Sequence, residues 1–221
     1  MLTHYRAKQV NVDRRRHYQV EGQCFPGVTT ILSATKSRAE KQRLQQWRSR
    51  IGSEAANQIT AQASRAGTKI HGVLKSYLRQ EDWTLPEGTE ALWRSLEPVL
   101  EQVEQVLLVE GAVWHPLKFA GYPDALMVYD GRLVVCDWKT ARRPKQLEWI
   151  EDYCLQIAAY SWAINWVYRN DDIHVHHGLI AIALQDAPAQ VFEIAPEELD
   201  LYWQRFQQRL LQYYRQQSWR G

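Results

Sequence analysis

Cysteine is scarce in this chain, and what there is cannot cooperate. Cys24, Cys136 and Cys154 are odd in number and show no C-x-x-C spacing. That argues against a disulfide framework, a zinc knuckle and a four-cysteine iron-sulfur cluster, and leaves structural cysteine. No apolar run approaches the roughly 18 residues of a membrane span. The opening MLTHYRAKQVNVDRRR lacks the apolar stretch of a signal peptide. The expectation is a soluble, cytoplasmic protein with no membrane partner. Internal repeats, low-complexity tracts and the phosphate-cradling G-x-x-x-x-G-K-[S/T] pattern are also missing. What remains is an ordinary globular composition: 221 residues, 45% hydrophobic and 24% charged. It excludes a disordered or fibrous chain and suggests one domain, or one domain with an arm.

The net charge of +2 conceals a division along the chain. Residues 1–80 carry 15 Lys and Arg against 4 Asp and Glu, whereas residues 81–221 carry 12 against 21. A basic N-terminal third suits contact with phosphate, the main source of sequence-independent nucleic-acid affinity. The same charges would also suit a solvated basic helix.

Periodicity divides the chain in the same way. HYQVEGQCFPGVTTIL is β-branched and aromatic, broken by Gly22, Pro26 and Gly27, and reads as extended pieces forming a hairpin. The proline-free stretch from Ser33 to Gln80 repeats apolar residues at helical spacing, for example Ile70, Val73, Leu74 and Tyr77, and reads as two or three helices. EALWRSLEPVLEQVEQV continues as a helix. From residue 105, QVLLVEGAVWH, FAGYPDALMVYDG and RLVVCDWKT read as three adjacent strands. A long helix from Lys145, two more strands (HVHHGLIAIALQ and AQVFEIA) and a closing helix complete the order. The predicted fold is α/β: a central mixed sheet of about five strands flanked by helices, with an N-terminal helical arm. Residues 1–104 form the basic hairpin and helical region, packed on an α/β core of residues 105–221 as one continuous structural domain.

The chemistry concentrates in two of those strands, where G-Y-P-D ends at Asp124 and C-D-W-K holds Asp137 and Lys139. Residues i and i+2 of a strand share a face, so Asp137 and Lys139 stand together while Trp138 points to the opposite layer. Two ionisable groups closing an otherwise buried strand are costly unless paired or bound to metal. They read either as a salt bridge capping a sheet edge, joined by Asp124, or as a site. In the second case Asp124 and Asp137 supply oxygens to a hard divalent cation and Lys139 orients a bound water.

The pattern G-x-P-D followed by D-W-K resembles the core of PD-(D/E)XK nucleases. Gly67-Thr68-Lys69-Ile70-His71 resembles the G-T-x-x-H helix of RecB-type exonuclease domains, and the resemblance makes His71 a metal ligand; alone it reads as a histidine packed beside Leu74. Gln156-Ile157-Ala158-Ala159-Tyr160 resembles the Q-x-x-x-Y motif of the same subgroup, which otherwise reads as a polar stripe bordering a core. Glu110, in VLLVEGAVWH, matches the acid that completes the metal site in the family, or is a solvated strand end. PGVTTIL followed by Gln46-Trp47-Arg48 is similar to the mitochondrial genome maintenance exonuclease branch.

This resemblance implies Mg²⁺ or Mn²⁺ held by His71, Glu110, Asp124, Asp137 and the Trp138 backbone carbonyl, with Asp124, Asp137, Lys139, Gln156 and Tyr160 forming the catalytic set. No iron-sulfur cluster is expected. DNA is the implied partner, single strands preferred, met by Arg48, Arg65, Lys69 and Lys75 and by Arg142, Arg143 and Lys145 beyond the lysine strand. Trp47, Tyr77, Trp83 and Trp93 are available to stack bases. A helicase, if one is needed, would be supplied in trans. The implied activity is an exonuclease on single-stranded DNA with a free end, in repair, recombination or replication. Three alternatives stay open: a duplex endonuclease of the same fold, an inactive nucleic-acid binding module, and an unrelated α/β protein with coincidental motifs.

Overall fold

In a computed structural model of the chain, residues 2–218 are described. The N-terminus forms an antiparallel meander of β1 (Lys8–Val12), β2 (Arg15–Val20) and β3 (Gln23–Pro26). Asp13 and Arg14, and then Glu21 and Gly22, make its two tight turns with positive φ at both residues, the handedness that matches strand twist. The meander has one strand more than the expected hairpin. PGVTTIL also departs from expectation, because Val28 opens a helix, α1 (Val28–Ala34), and buries Val28, Ile31 and Leu32. Their 3–4 spacing outweighs the β-branched composition.

The main sheet has five strands in the order β10-β9-β8-β7-β4. They are β4 (Val103–Val109), β7 (Ala125–Tyr129), β8 (Arg132–Ala141), β9 (His177–Leu184) and β10 (Gln190–Ile194). Neighbours run antiparallel except for β8 and β9, which are parallel and are joined through α5 (Glu151–Val167). The sheet is mixed and helix-flanked, as the sequence predicts. Two expected strands are each split: Glu110, at φ 47°, ends β4 before β5 (Val113–His115), and Tyr122–Asp124 separates β6 (Phe119–Gly121) from β7. β5 and β6 pair with each other as a small ribbon. The helix expected to reach Val106 ends earlier, as α4 (Glu90–Leu100), because the β-branched and apolar run from Val103 pairs with β7. Among the described residues no helix is long and apolar enough to cross a membrane.

Strand alternation builds two cores. Leu126, Val135, Ile180 and Ile182 face α1, α5 and α6 (Pro196–Ser218). Met127, Val134, Cys136, Trp138 and Leu179 face α4 and α3 (Ser53–Leu78). Each such aliphatic side chain, sealed from water, contributes about 1.5–3 kcal/mol. α5 lies between the sheet and α6 and is buried on nearly every side, which explains its apolar residues all round.

α3 behaves differently along its length. Its C-terminal part buries Ile70, Val73, Leu74 and Leu78 against the sheet, whereas before Ile70 only Ala56 is buried. The helix before it, α2 (Arg38–Ile51), has every residue exposed or half-buried. Ser37 and Glu40 form a reciprocal capping box at its start. α2 and the first half of α3 therefore form an arm. They meet at Gly52, whose φ of 87° with open space around it suits glycine.

Candidate active site

The site begins where two strands stop matching. β7 pairs with β8 as far as Ala125 opposite Cys136, and there Pro123 and Asp124 turn the chain away. β8 continues alone on that side for Asp137–Ala141, paired only with β9. Trp138 therefore has a backbone N–H with no strand to meet, and Asp124 Oδ2 accepts it at 2.8 Å. The N–H and C=O of one strand residue leave by the same edge, so the Trp138 carbonyl faces this edge too.

Asp137 and Lys139 share the face toward α5 and form an ion pair. Tyr153, Gln156 and Tyr160, spaced by three and four residues, line one face of that helix. Gln156 Nε2 donates to Asp137 Oδ1 at 2.9 Å and to the Tyr160 hydroxyl at 3.4 Å. The Tyr153 ring lies 5.0 Å from the Lys139 ammonium, a cation–π distance. Gly121 admits Tyr160: a Cβ there would stand 2.6 Å from the ring. From the other side α3 brings His71, whose Nδ1 lies 3.4 Å from Asp124 Oδ1. One turn further, Lys75 pairs with Glu110 at 2.5 Å, and the Glu110 amide donates to the Asp124 carbonyl at 3.1 Å.

Burial and charge set the protonation of this cluster. Burial pushes the Asp137 carboxyl up to about 6, although Lys139 opposes the shift. Burial also raises Asp124, but the His71 hydrogen bond and the nearby charges outweigh it and leave this carboxyl below its usual value. Burial lowers Lys139 and His71, yet the two aspartates hold both above their ordinary values. Lys139 is thus an ammonium donor and not a free base.

The structure brings His71, Glu110, Asp124, Asp137, Trp138, Lys139, Gln156 and Tyr160 to one end of the sheet. The basic residues are spread more widely. Lys69 bonds the Glu87 carbonyl, Arg48 bonds Asn57 and Arg142 bonds Gln62. Arg65 and Arg143 are exposed, and Lys145 is half-buried with its backbone bonded to Gln190. Tyr77, Trp83 and Trp93 pack on one another, with Trp93 in the core. Sequence reasoning missed Tyr153, whose only signal was its place three residues before Gln156. It also missed the pairing of Lys75 with Glu110, signalled only by the i+4 spacing from His71.

Carboxylates and an imidazole are donors that a hard divalent ion accepts. Each is engaged within the protein, and among the described residues no three His, Cys, Asp or Glu side chains converge at coordinating range. The cluster is nonetheless short of positive charge. Asp137 is 1% exposed, and its carboxyl stays raised to about 6 even with the Lys139 ammonium on its Oδ2. A cation fits that deficit.

The chain is 32% identical over 201 residues to mitochondrial genome maintenance exonuclease 1 of Homo sapiens, covering 86% of this chain and 58% of the relative. It is 31% identical to the Mus musculus and Xenopus tropicalis proteins of that name, covering 88% and 90% of this chain and 60% and 59% of theirs. It thus spans less than two thirds of the relatives' length. Among solved structures, the crystal structure of SSO0001 overlays with a TM-score of 0.38 at 18% identity, over 77% of this chain and 70% of that one. The profile of the PD-(D/E)XK nuclease superfamily matches residues 30–219, and with the carboxylates and lysine of that name gathered at one sheet end, the chain belongs to this superfamily.

Proposed function

We propose that this protein is a metal-dependent deoxyribonuclease acting as an exonuclease on single-stranded DNA with a free end. The observation that carries the reading is the meeting of Asp124, Asp137 and Lys139 at the open end of β8, beside the basic arm of α2 and α3. Asp124, Asp137 and Glu110, with His71 and the Trp138 carbonyl, would hold Mg²⁺ or Mn²⁺. Bound there, the ion supplies Lewis acidity and a more acidic water. Lys139, kept protonated by its two aspartates, donates toward the attacking oxygen and toward charge developing on the phosphate. Gln156 holds Asp137 by one oxygen, leaving the other for the lysine or an ion. Tyr160 braces Gln156, and His71 keeps Asp124 ionised.

The single-strand reading is supported by how the arm is tied. Before α2, Thr35 is held by Arg209, which also reaches Asp152, the neighbour of Tyr153. Further along, Gln62 of α3 bonds Arg142, just beyond β8. The arm is thus tied near both flanks of the site, and its α2 carries Arg38, Lys41, Arg43 and Arg50, charge that suits a phosphate backbone. The relatives named as exonucleases support action from an end.

The reading is tested by single-turnover digestion of a labelled linear oligonucleotide with Mg²⁺, Mn²⁺ or EDTA. Wild type is expected to cut only with metal, while Lys139→Ala is silent and still binds the oligonucleotide. Equal cutting by the variant, or cutting in EDTA, would refute it. Preferred cutting of duplex would move the assignment to an endonuclease.

A further inference from the structure

The loop between β8 and α5 is fixed at two points, yet it leaves apolar residues in water. The Gln190 side chain of β10 clamps Lys145, accepting from its amide at 2.6 Å and donating to its carbonyl at 3.1 Å. Ile150, at the start of α5, is sealed in the core at 1% exposure. Between these points stands a single 3₁₀ turn, Leu147–Trp149. Trp149 is 59% exposed, the most of any tryptophan among the described residues, and Leu147 is 47% exposed. Tryptophan is usually well covered, so a fixed turn that holds one in water points to something that covers it.

Its position and charge indicate the occupant. Trp149 precedes Tyr153 by four residues, one helical turn and about 6 Å of rise, and Tyr153 is the ring beside the Lys139 ammonium. Trp149 thus continues, by one turn, the line of α5 that carries Tyr153, Gln156 and Tyr160. The seven residues before it hold three cations, Arg142, Arg143 and Lys145, against one acid, Glu148, and both arginines are exposed. An open aromatic ring among cations suits single-stranded nucleic acid, whose phosphates meet the charges while an unpaired base covers the ring. Two apolar side chains are too little for a stable protein interface of about 800 Å² per partner, whereas one base covers one indole. We propose that Trp149 stacks on a base of the single strand at one defined distance from the phosphodiester that is cut, and so holds the strand in register with Lys139. The proposal rests on reading the site as a metal-dependent nuclease. Because every base has a flat face, this contact is tolerant of sequence, but a nucleotide without a base forfeits it.

The test is a cycle between protein and substrate. Linear single-stranded oligonucleotides, each with one abasic nucleotide at a successive position, are cut with Mg²⁺ by wild type, Trp149→Ala and Trp149→Phe. The first cut is timed with enzyme below saturation, and melting followed by circular dichroism verifies folding. At one position the abasic nucleotide is expected to slow wild type about tenfold and to slow Trp149→Ala no further than that variant already is on intact strand, while Trp149→Phe keeps the effect. At the other positions the two losses multiply. Losses that multiply at every position overturn the proposal and leave the metal-dependent nuclease intact. No metal-dependent cutting by wild type overturns both.

Discussion

Sealing a carboxylate inside a sheet costs free energy unless positive charge accompanies it. Asp137 has one ammonium and one amide for that purpose, and its carboxyl sits at about 6 against an ordinary 3.8. Because the folded value is raised, its contribution to stability is present in full below about pH 4 and is lost as pH rises through about 6. The difference corresponds to about 3 kcal/mol. In EDTA, Asp137→Asn should therefore melt above wild type at alkaline pH, with the gap closing by about pH 4. A gap that does not vary with pH would remove burial as the cause of the shift. The period-2 rule made the shared face of Asp137 and Lys139 legible in the sequence. Nothing local did so for Lys75 and Glu110, because their meeting depends on how α3 crosses the end of β4. Tyr153 was hidden for another reason: an aromatic at helical spacing reads as core until the lysine beneath it is seen.

At the scale of elements, the site depends on how closely α5 approaches the sheet. Gly121 leaves the gap that the Tyr160 ring fills, with 2.6 Å to an added methyl. Gly121→Ala should cost about 1–3 kcal/mol of stability and reduce cleavage further than stability explains, since Tyr160 would push on Gln156 and Asp137. Thermal melting and single-turnover rates measured together separate the two effects. Arg209 performs a similar service for the arm. It holds Thr35 Oγ1 and the Leu32 carbonyl, each at 2.6 Å, and pairs with Asp152 at 3.3 Å. Arg209→Ala leaves helix-end groups unmet and should lower stability by about 1–3 kcal/mol in denaturant titration. The order of elements was legible because runs such as RLVVCDWKT and GLIAIAL have an unambiguous period. Their ends were not. Breaks at Glu110 and Pro123 lie within apolar runs, and only pairing to a particular neighbour decides where such strands stop.

The whole molecule divides its charge along the chain, with the basic arm in its first part and the Asp137–Lys139 pair in the acidic remainder. Binding of single strands should then weaken steeply with salt. Replacing Arg48 and Arg65 by alanine should raise Kd about tenfold and, if each meets one phosphate, lower the salt slope by about 1.4. Fluorescence anisotropy across a salt series checks this. An unchanged slope would place the DNA path elsewhere. The arm's two anchors, Arg209 on Thr35 and Arg142 on Gln62, make the stronger claim that substrate enters by its end. The most direct measurement compares linear and circularised single strands of one sequence, with Mg²⁺, using wild type and Lys139→Ala. The account predicts that wild type degrades the linear strand and spares the circle, while the variant leaves both intact. A circle cut as fast as the linear strand would contradict it.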